Sequence, residues 1–206
     1  MILRGVVRAA PFALLSTFWL LSAETSKLIV DNDRVMVREV AWDQLSASKL
    51  HDRETVTICL TCAGREAGEA RFEPKGTAHG EERPVAGKPA TSVVIELKDH
   101  MVPGLPNHSG YPNAFPRPGS KKLFENAHII VWDYSWTPGK PSPMHFHDKD
   151  VVVVYLDNGA LKSTTPDGKS TVNDISFGLT KFNPRDRSHT EEVVRGNARA
   201  VMMELK

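Results

Sequence analysis

The chain has 206 residues, a length that admits one large domain or two small ones and excludes a large multidomain machine. With 40% hydrophobic and 25% charged residues it has the mix of a globular protein with a buried core, not that of a disordered chain. The 26 Lys+Arg against 25 Asp+Glu leave a formal charge of +1, which gives no bulk electrostatic basis for recruiting nucleic acid.

The first 23 residues read as an export signal. Arg4 and Arg8 precede an apolar run from Ala9 to Leu21, and Ser22-Ala23 offers small residues for cleavage. The run is short for a spanning helix, which needs about 20 residues, so no stable membrane insertion is expected once the signal is removed. An uncleaved anchor or a different start codon is the other reading. Loss of residues 1–23 removes two arginines and no acid, leaving a charge of −1. The destination implied is the periplasm or the exterior.

The mature chain contains an internal repeat. Asn32–Trp42 (NDRVMVREVAW) matches Asn126–Trp136 (NAHIIVWDYSW), with Asn, Val and Trp identical and Glu39 opposite Asp133. His51–Leu60 (HDRETVTICL) parallels His147–Leu156 (HDKDVVVVYL), and Phe72–Glu82 (FEPKGTAHGEE) parallels Phe182–Glu192 (FNPRDRSHTEE). Glu-Leu-Lys closes both units, at 96–98 and 204–206. The expected organisation is an N-terminal unit at 24–98, a linker at 99–125 and a C-terminal unit at 126–206.

Cys59 and Cys62 in the first unit are the only cysteines. Their C-x-x-C spacing lacks the surrounding βαβ pattern of a redox motif and the second pair of a zinc site. "VTICLTC" reads as a strand with the two side chains on opposite faces, which favours structural or free thiols, a disulfide being the alternative in an oxidising compartment. The interval from Leu60 to Phe72 is about 14 residues shorter than that from Leu156 to Phe182, so the first unit lacks a hairpin.

Repeated Pro and Gly in residues 100–120 cannot continue a helix or an inner strand, so this segment is a linker or a wrapping arm. Asn107-His108-Ser109 fits a glycosylation sequon, a pattern too short to weigh much. In the second unit, AHIIVWDYSW, VVVVYLD, ALKSTTPDGKST and ARAVMMELK are short β-branched or apolar runs. Asp157-Asn158-Gly159 and Pro166-Asp167-Gly168 supply turn residues between them. An antiparallel sandwich or small barrel follows, because such strands must bury their apolar faces on one another.

His145 and His147 are two apart, so on a strand both imidazoles point to one face and can hold one ion. His189, 42 residues on, follows Asn183-Pro184-Arg185, where a turn can bring it opposite the pair. Three neutral imidazoles suit a divalent transition metal and leave positions open for water, oxygen or substrate. Paired strand histidines that only hydrogen-bond their neighbours are the bland alternative.

Gly139, then five residues, then His145-Phe146-His147, then Gly159, resembles the first motif of the cupin family, G-x5-H-x-H-x4-E-x6-G. Gly178, five residues, Pro184 and then His189 resembles the second, G-x5-P-x-G-x2-H-x3-N. The resemblance covers most of 126–206, and with the repeat it implies an all-β bicupin: two cupin-type jelly-roll β-barrel units, the N-terminal one shortened. It further implies a divalent metal (Fe, Mn, Zn, Ni or Cu) at His145, His147 and His189, a small-molecule ligand or substrate, and a homodimer. The sequence departs from the motifs at Val152 (the glutamate), Asp186 (the glycine) and Val193 (the asparagine). A site of three histidines alone resembles the thiol-dioxygenase branch, which holds iron without that glutamate.

Asp148 and Asp150 read as solvated loop acids, since alternation turns them away from the His147 face. In the first unit His51 matches His147 and His79 matches His189, but Lys49 replaces the first histidine, and an ammonium repels the ion it would have to bind. That unit reads as structural. Arg185 and Arg187 flank His189 and can fork onto a carboxylate, though surface charge is the simpler reading. Tyr134, Trp136 and Tyr155 fill the core, and His100, His108 and His128 have no partner motif. The competing functional reading is a non-catalytic ligand-binding or structural cupin.

Overall fold

The structure is a computed structural model that describes residues 25–42, 51–77 and 89–206. The expected signal, Lys49 and His79 lie outside the described residues. Among those described there is no helix, so none is long and apolar enough to cross a membrane.

Among the described residues the first unit is one antiparallel sheet. Its strands are β1 (Thr25–Asp31), β2 (Val35–Trp42), β3 (Thr55–Thr61), β4 (Ala70–Glu73) and β5 (Ala90–Leu97), in the order β1-β2-β5-β3-β4. The second unit has β6 (Ser120–Glu125), β7 (Ile129–Trp136), β8 (His145–His147), β9 (Asp150–Tyr155), β10 (Gly159–Thr164), β11 (Ser170–Ile175), β12 (Thr180–Asn183), β13 (Arg187–Gly196) and β14 (Ala198–Leu205). These form a five-stranded sheet, β12-β9-β14-β7-β6, and a four-stranded sheet, β11-β10-β13-β8.

The repeat is visible strand for strand, since β1-β2-β5-β3-β4 has the same order as β6-β7-β14-β9-β12. Its identical asparagines do the same work. Asn32 Oδ1 accepts from the backbone N–H of Arg34 and Val35, and Asn126 Oδ1 accepts from those of His128 and Ile129, each closing the turn into the next strand. The hairpin β10–β11 has no counterpart between β3 and β4, which is the shortening read from the Leu60–Phe72 interval.

Packing makes three layers. One apolar cluster joins the two five-stranded sheets through Val37, Val56, Ile58 and Ile95 on one side and Val131, Val152, Val154, Val201 and Met203 on the other. A second cluster lies between the two sheets of the second unit, where Trp132, Tyr134, Trp136, Val153, Tyr155 and Met202 meet Leu161, Ile175 and Val193. The middle sheet is therefore covered on both faces, which is why β9 reads as an unbroken apolar run instead of alternating.

Cys59 and Cys62 form a disulfide, which corrects the preference for free thiols. The register of β3 on β5 shifts between Cys59 and Thr61 and the strand ends there, so the alternation that put the two thiols on opposite faces stops before Cys62.

Residues 99–119 are an arm that wraps the second unit. The Ala114 N–H donates to Phe146 O and the Phe146 N–H to Pro112 O, both at 2.8 Å, pinning the arm along β8. Ala114, Phe115 and Arg117 are buried there. Asn107 is used locally, its Oδ1 accepting from the backbone and hydroxyl of Ser109.

Candidate metal centre

β8 and β13 pair antiparallel, with His189 opposite His145 and Arg187 opposite His147. The pleat turns all three histidines to one face, into the second unit. One ring nitrogen of each lies within 4.8 Å of the other two, and all three residues are buried. The Nε2 atoms of His147 and His189 are 3.3 Å apart. Two nitrogens each about 2.0–2.1 Å from one tetrahedral ion lie about 3.4 Å apart, so this pair already has the spacing of two ligands.

The rings are held neutral, the state in which imidazole donates to a metal. Burial, helped by Arg117, lowers His145 from 6.5 to about 4. Burial likewise carries His147 well below its ordinary value, with Arg187 and the other histidines adding to it, and lowers His189 against the opposing pull of Glu191. The His145 Nδ1–H donates to Pro143 O at 2.8 Å, which fixes the tautomer and turns Nε2 into the acceptor. The donor set, its neutrality and its spacing fit a divalent transition metal, with positions left for another ligand.

Two charged side chains beside the histidines escaped the sequence reading. Glu191 lies two residues past His189 on β13, with Oε1 3.7 Å from His189 Nε2. Burial alone would raise its carboxyl, but Arg117, the histidines and the Trp136 indole N–H hold it below the usual range. Arg117 comes from the arm, its guanidinium 4.0 Å from the Tyr134 ring centre and 4.8 Å from that of Phe115. Alternation from His189 would have found Glu191. Nothing in the sequence places Arg117 in the barrel.

The other candidates divide. Tyr134, Trp136 and Tyr155 are buried in the core as expected, and burial raises both phenols, so they stay protonated near neutrality. Val152 is wholly buried but faces the N-terminal sheet, leaving Val151 and Val153 on the histidine side of β9. Asp148 and Asp150 are buried, which corrects their reading as solvated acids. Asp150 pairs with Arg34 of the first unit at 2.7 Å, and Asp148 pairs with Lys149. The backbone of Arg185 donates to Asp150, and its guanidinium donates to Pro103 O in the arm. Arg187 donates to Pro184 O. In the first unit His51 Nε2 pairs with Glu73 at 2.7 Å, and His128 pairs with Glu54 across the two units. Asp186, at the motif glycine, keeps the left-handed backbone at φ 64°.

No family model matches the chain. Over 60 residues it is 38% identical to the beta-alanine degradation protein BauB of Pseudomonas aeruginosa, a match covering 29% of this chain and 59% of that protein. A cupin 2 conserved barrel domain protein from Leptotrichia buccalis superposes with a TM-score of 0.52 at 15% identity, over 90% of each chain. The salicylate 1,2-dioxygenase of Pseudoaminobacter salicylatoxidans superposes with a TM-score of 0.58 at 10% identity, over 84% of this chain and 69% of that one. Topology and these superpositions define an all-β protein of the cupin fold. Within that class, this one carries a buried three-histidine cluster on β8 and β13 that could bind a metal.

Proposed function

We propose that the protein is an exported cupin whose second unit holds one divalent transition metal through His145, His147 and His189, for metal-dependent chemistry on a small organic substrate. The carrying observation is that three neutral imidazoles from two paired strands present nitrogens within 4.8 Å of one another. A bound ion would supply Lewis acidity or, if redox-active, activation of oxygen. The chain's own part is to hold that ion, to keep the rings unprotonated by burial, and to line the surroundings with Trp136, Tyr134 and Tyr155. Export is supported by the apolar N-terminal run and by the closed Cys59–Cys62 disulfide, which suits an oxidising compartment. A homodimer is part of the proposal through the cupin resemblance.

Elemental analysis of tag-free protein tests the metal. Near-stoichiometric metal is expected in the wild type and its loss in a His145→Ala, His147→Ala double variant; equal trace metal in both would defeat the reading. Oxygen uptake with a panel of thiols and phenolic acids then tests dioxygenase chemistry, with the metal-stripped protein as control. The second reading, a non-catalytic ligand-binding module, is favoured by one observation: β9 brings Val151, Val153 and Tyr155 to the histidine face, so the usual motif carboxylate is missing there. Stoichiometric metal without turnover of any substrate would support it.

A further inference from the structure

Arg117 and Glu191 are arranged around the histidines in a way the three-ligand reading leaves unexplained. Arg117 Nη1 lies 2.8 Å from His145 Nε2, and its Nη2 lies 3.3 Å from Glu191 Oε2. The same Nη1 lies 3.4 Å from His145 Nδ1, so the guanidinium sits over the imidazole, while the Nδ1 proton goes to Pro143 O and leaves Nε2 as the unprotonated nitrogen. An ion bound at His145 Nε2 would stand against a guanidinium nitrogen 2.8 Å from the same atom, and two cations that close in a buried pocket repel, so the Arg117 position and a metal at His145 Nε2 compete. Glu191, meanwhile, is anionic and points to the same face as His189, with its other oxygen 3.7 Å from the His189 Nε2.

The guanidinium thus provides one positive charge set against both a histidine nitrogen and a carboxylate, beside the nitrogens of the other two histidines. That is the electrostatic place of a cation. Two buried polar atoms also lack partners in this state, Arg117 Nε and His147 Nδ1, so the arrangement is not a fully satisfied network. Arg117 comes from the wrapping arm, not from a barrel strand; its own turn is closed by Ser120, whose hydroxyl donates to Arg117 O at 2.6 Å.

Building on the metal reading above, we propose that Arg117 is the resident cation of the metal-free site, that a divalent ion displaces it, and that Glu191 then serves as the fourth, anionic ligand. The carboxylate missing from β9 would be supplied from β13. Displacement is a ligand exchange: the guanidinium keeps its proton and charge, releases His145 Nε2 and Glu191, and leaves both to the ion. Charge demands its withdrawal, because a divalent ion and a guanidinium within one buried pocket repel.

The test is titration of metal-stripped full-length protein with Co²⁺, read by calorimetric affinity and by the visible absorption of the bound ion. Arg117→Met should bind about 10-fold tighter or better, because the competing cation is gone. Glu191→Gln should bind about 10- to 100-fold more weakly with an altered spectrum, the scale at which loss of a supporting group weakens a metal site. Since either change alone strands a buried charge, the Arg117→Met, Glu191→Gln double variant closes the cycle: it should bind more weakly than Arg117→Met alone. One equivalent of Co²⁺ bound with equal affinity and spectrum in all four proteins overturns this inference and leaves the three-histidine site standing. No uptake by the wild type or by Arg117→Met overturns both. Uptake by Arg117→Met alone supports the displacement.

Discussion

Burial, more than any neighbouring charge, keeps the imidazoles unprotonated, and this has a consequence for pH. His145 falls from 6.5 to about 4 in the folded chain, and His147 and His189 move in the same direction. The unfolded chain therefore binds more protons than the folded one as pH falls below about 6.5, so stability present above that value is lost on the way down to about 4. For metal-stripped protein the urea midpoint should drop between pH 7 and pH 4.5, and a His145→Phe variant should show a shallower drop. A flat midpoint across this range would mean the rings are not buried as described. A second residue-scale expectation concerns Asp186, whose φ of 64° is left-handed backbone. Asp186→Gly should stabilise by up to about 1 kcal/mol, the order of the left-handed penalty for a residue with a Cβ, whereas Asp186→Val should destabilise. Thermal melts of the pair would decide it. The motif glycine was lost in identity but kept in conformation, because aspartate tolerates this region better than most residues.

Elements behave as their neighbours dictate. The start of β10 at Gly159 passes so close to β13 that a Cβ would come within 2.5 Å of the carbonyl oxygens of Arg195 and Asn197. Both obstacles are backbone, so Gly159→Ala should cost on the order of 2 kcal/mol, as overpacking does, and lower the melting temperature without removing the metal ligands. The beginning of β9 is tied to the first unit by the buried Arg34–Asp150 pair. Arg34→Met strands that carboxylate and should cost about 3–5 kcal/mol, most of it recovered when Asp150 is also made apolar. Chemical denaturation of the two single variants and the double variant would measure the coupling. Here the sequence misled, since Asp150 looks like a loop acid until its partner, 116 residues away, is placed beside it.

At the scale of the molecule, the two units share one hydrophobic core. Ile58, on the first sheet, packs in the same cluster as Val152 and Met203 of the second. Truncating Ile58 to Ala should cost about 2–5 kcal/mol, and the loss should appear in the unfolding of the C-terminal unit as well, followed by the fluorescence of Trp132 and Trp136. A biphasic curve with an unshifted C-terminal transition would show that the units fold separately. The first sheet has a clear physical role in this arrangement: it covers a face of the middle sheet that would otherwise expose a row of valines to water.

Period-two alternation and turn residues are local properties, and they were enough for the all-β architecture, the repeat, and the pointing of His145 and His147 to one face. The same alternation extended from His189 reaches Glu191. Tertiary structure alone decided what covers each face and what enters the barrel from outside it. Val152 could be ranked as a missing ligand from its motif position, but whether it faces the histidines or the neighbouring sheet depends on a partner far away in the chain. The Cys59–Cys62 bond depended on a register shift against β5, and the charge beside His145 came from an irregular arm whose path no periodicity encodes. Hydrogen-bond geometry within a strand propagates two residues at a time; the choice of which surfaces meet is made by the whole chain at once.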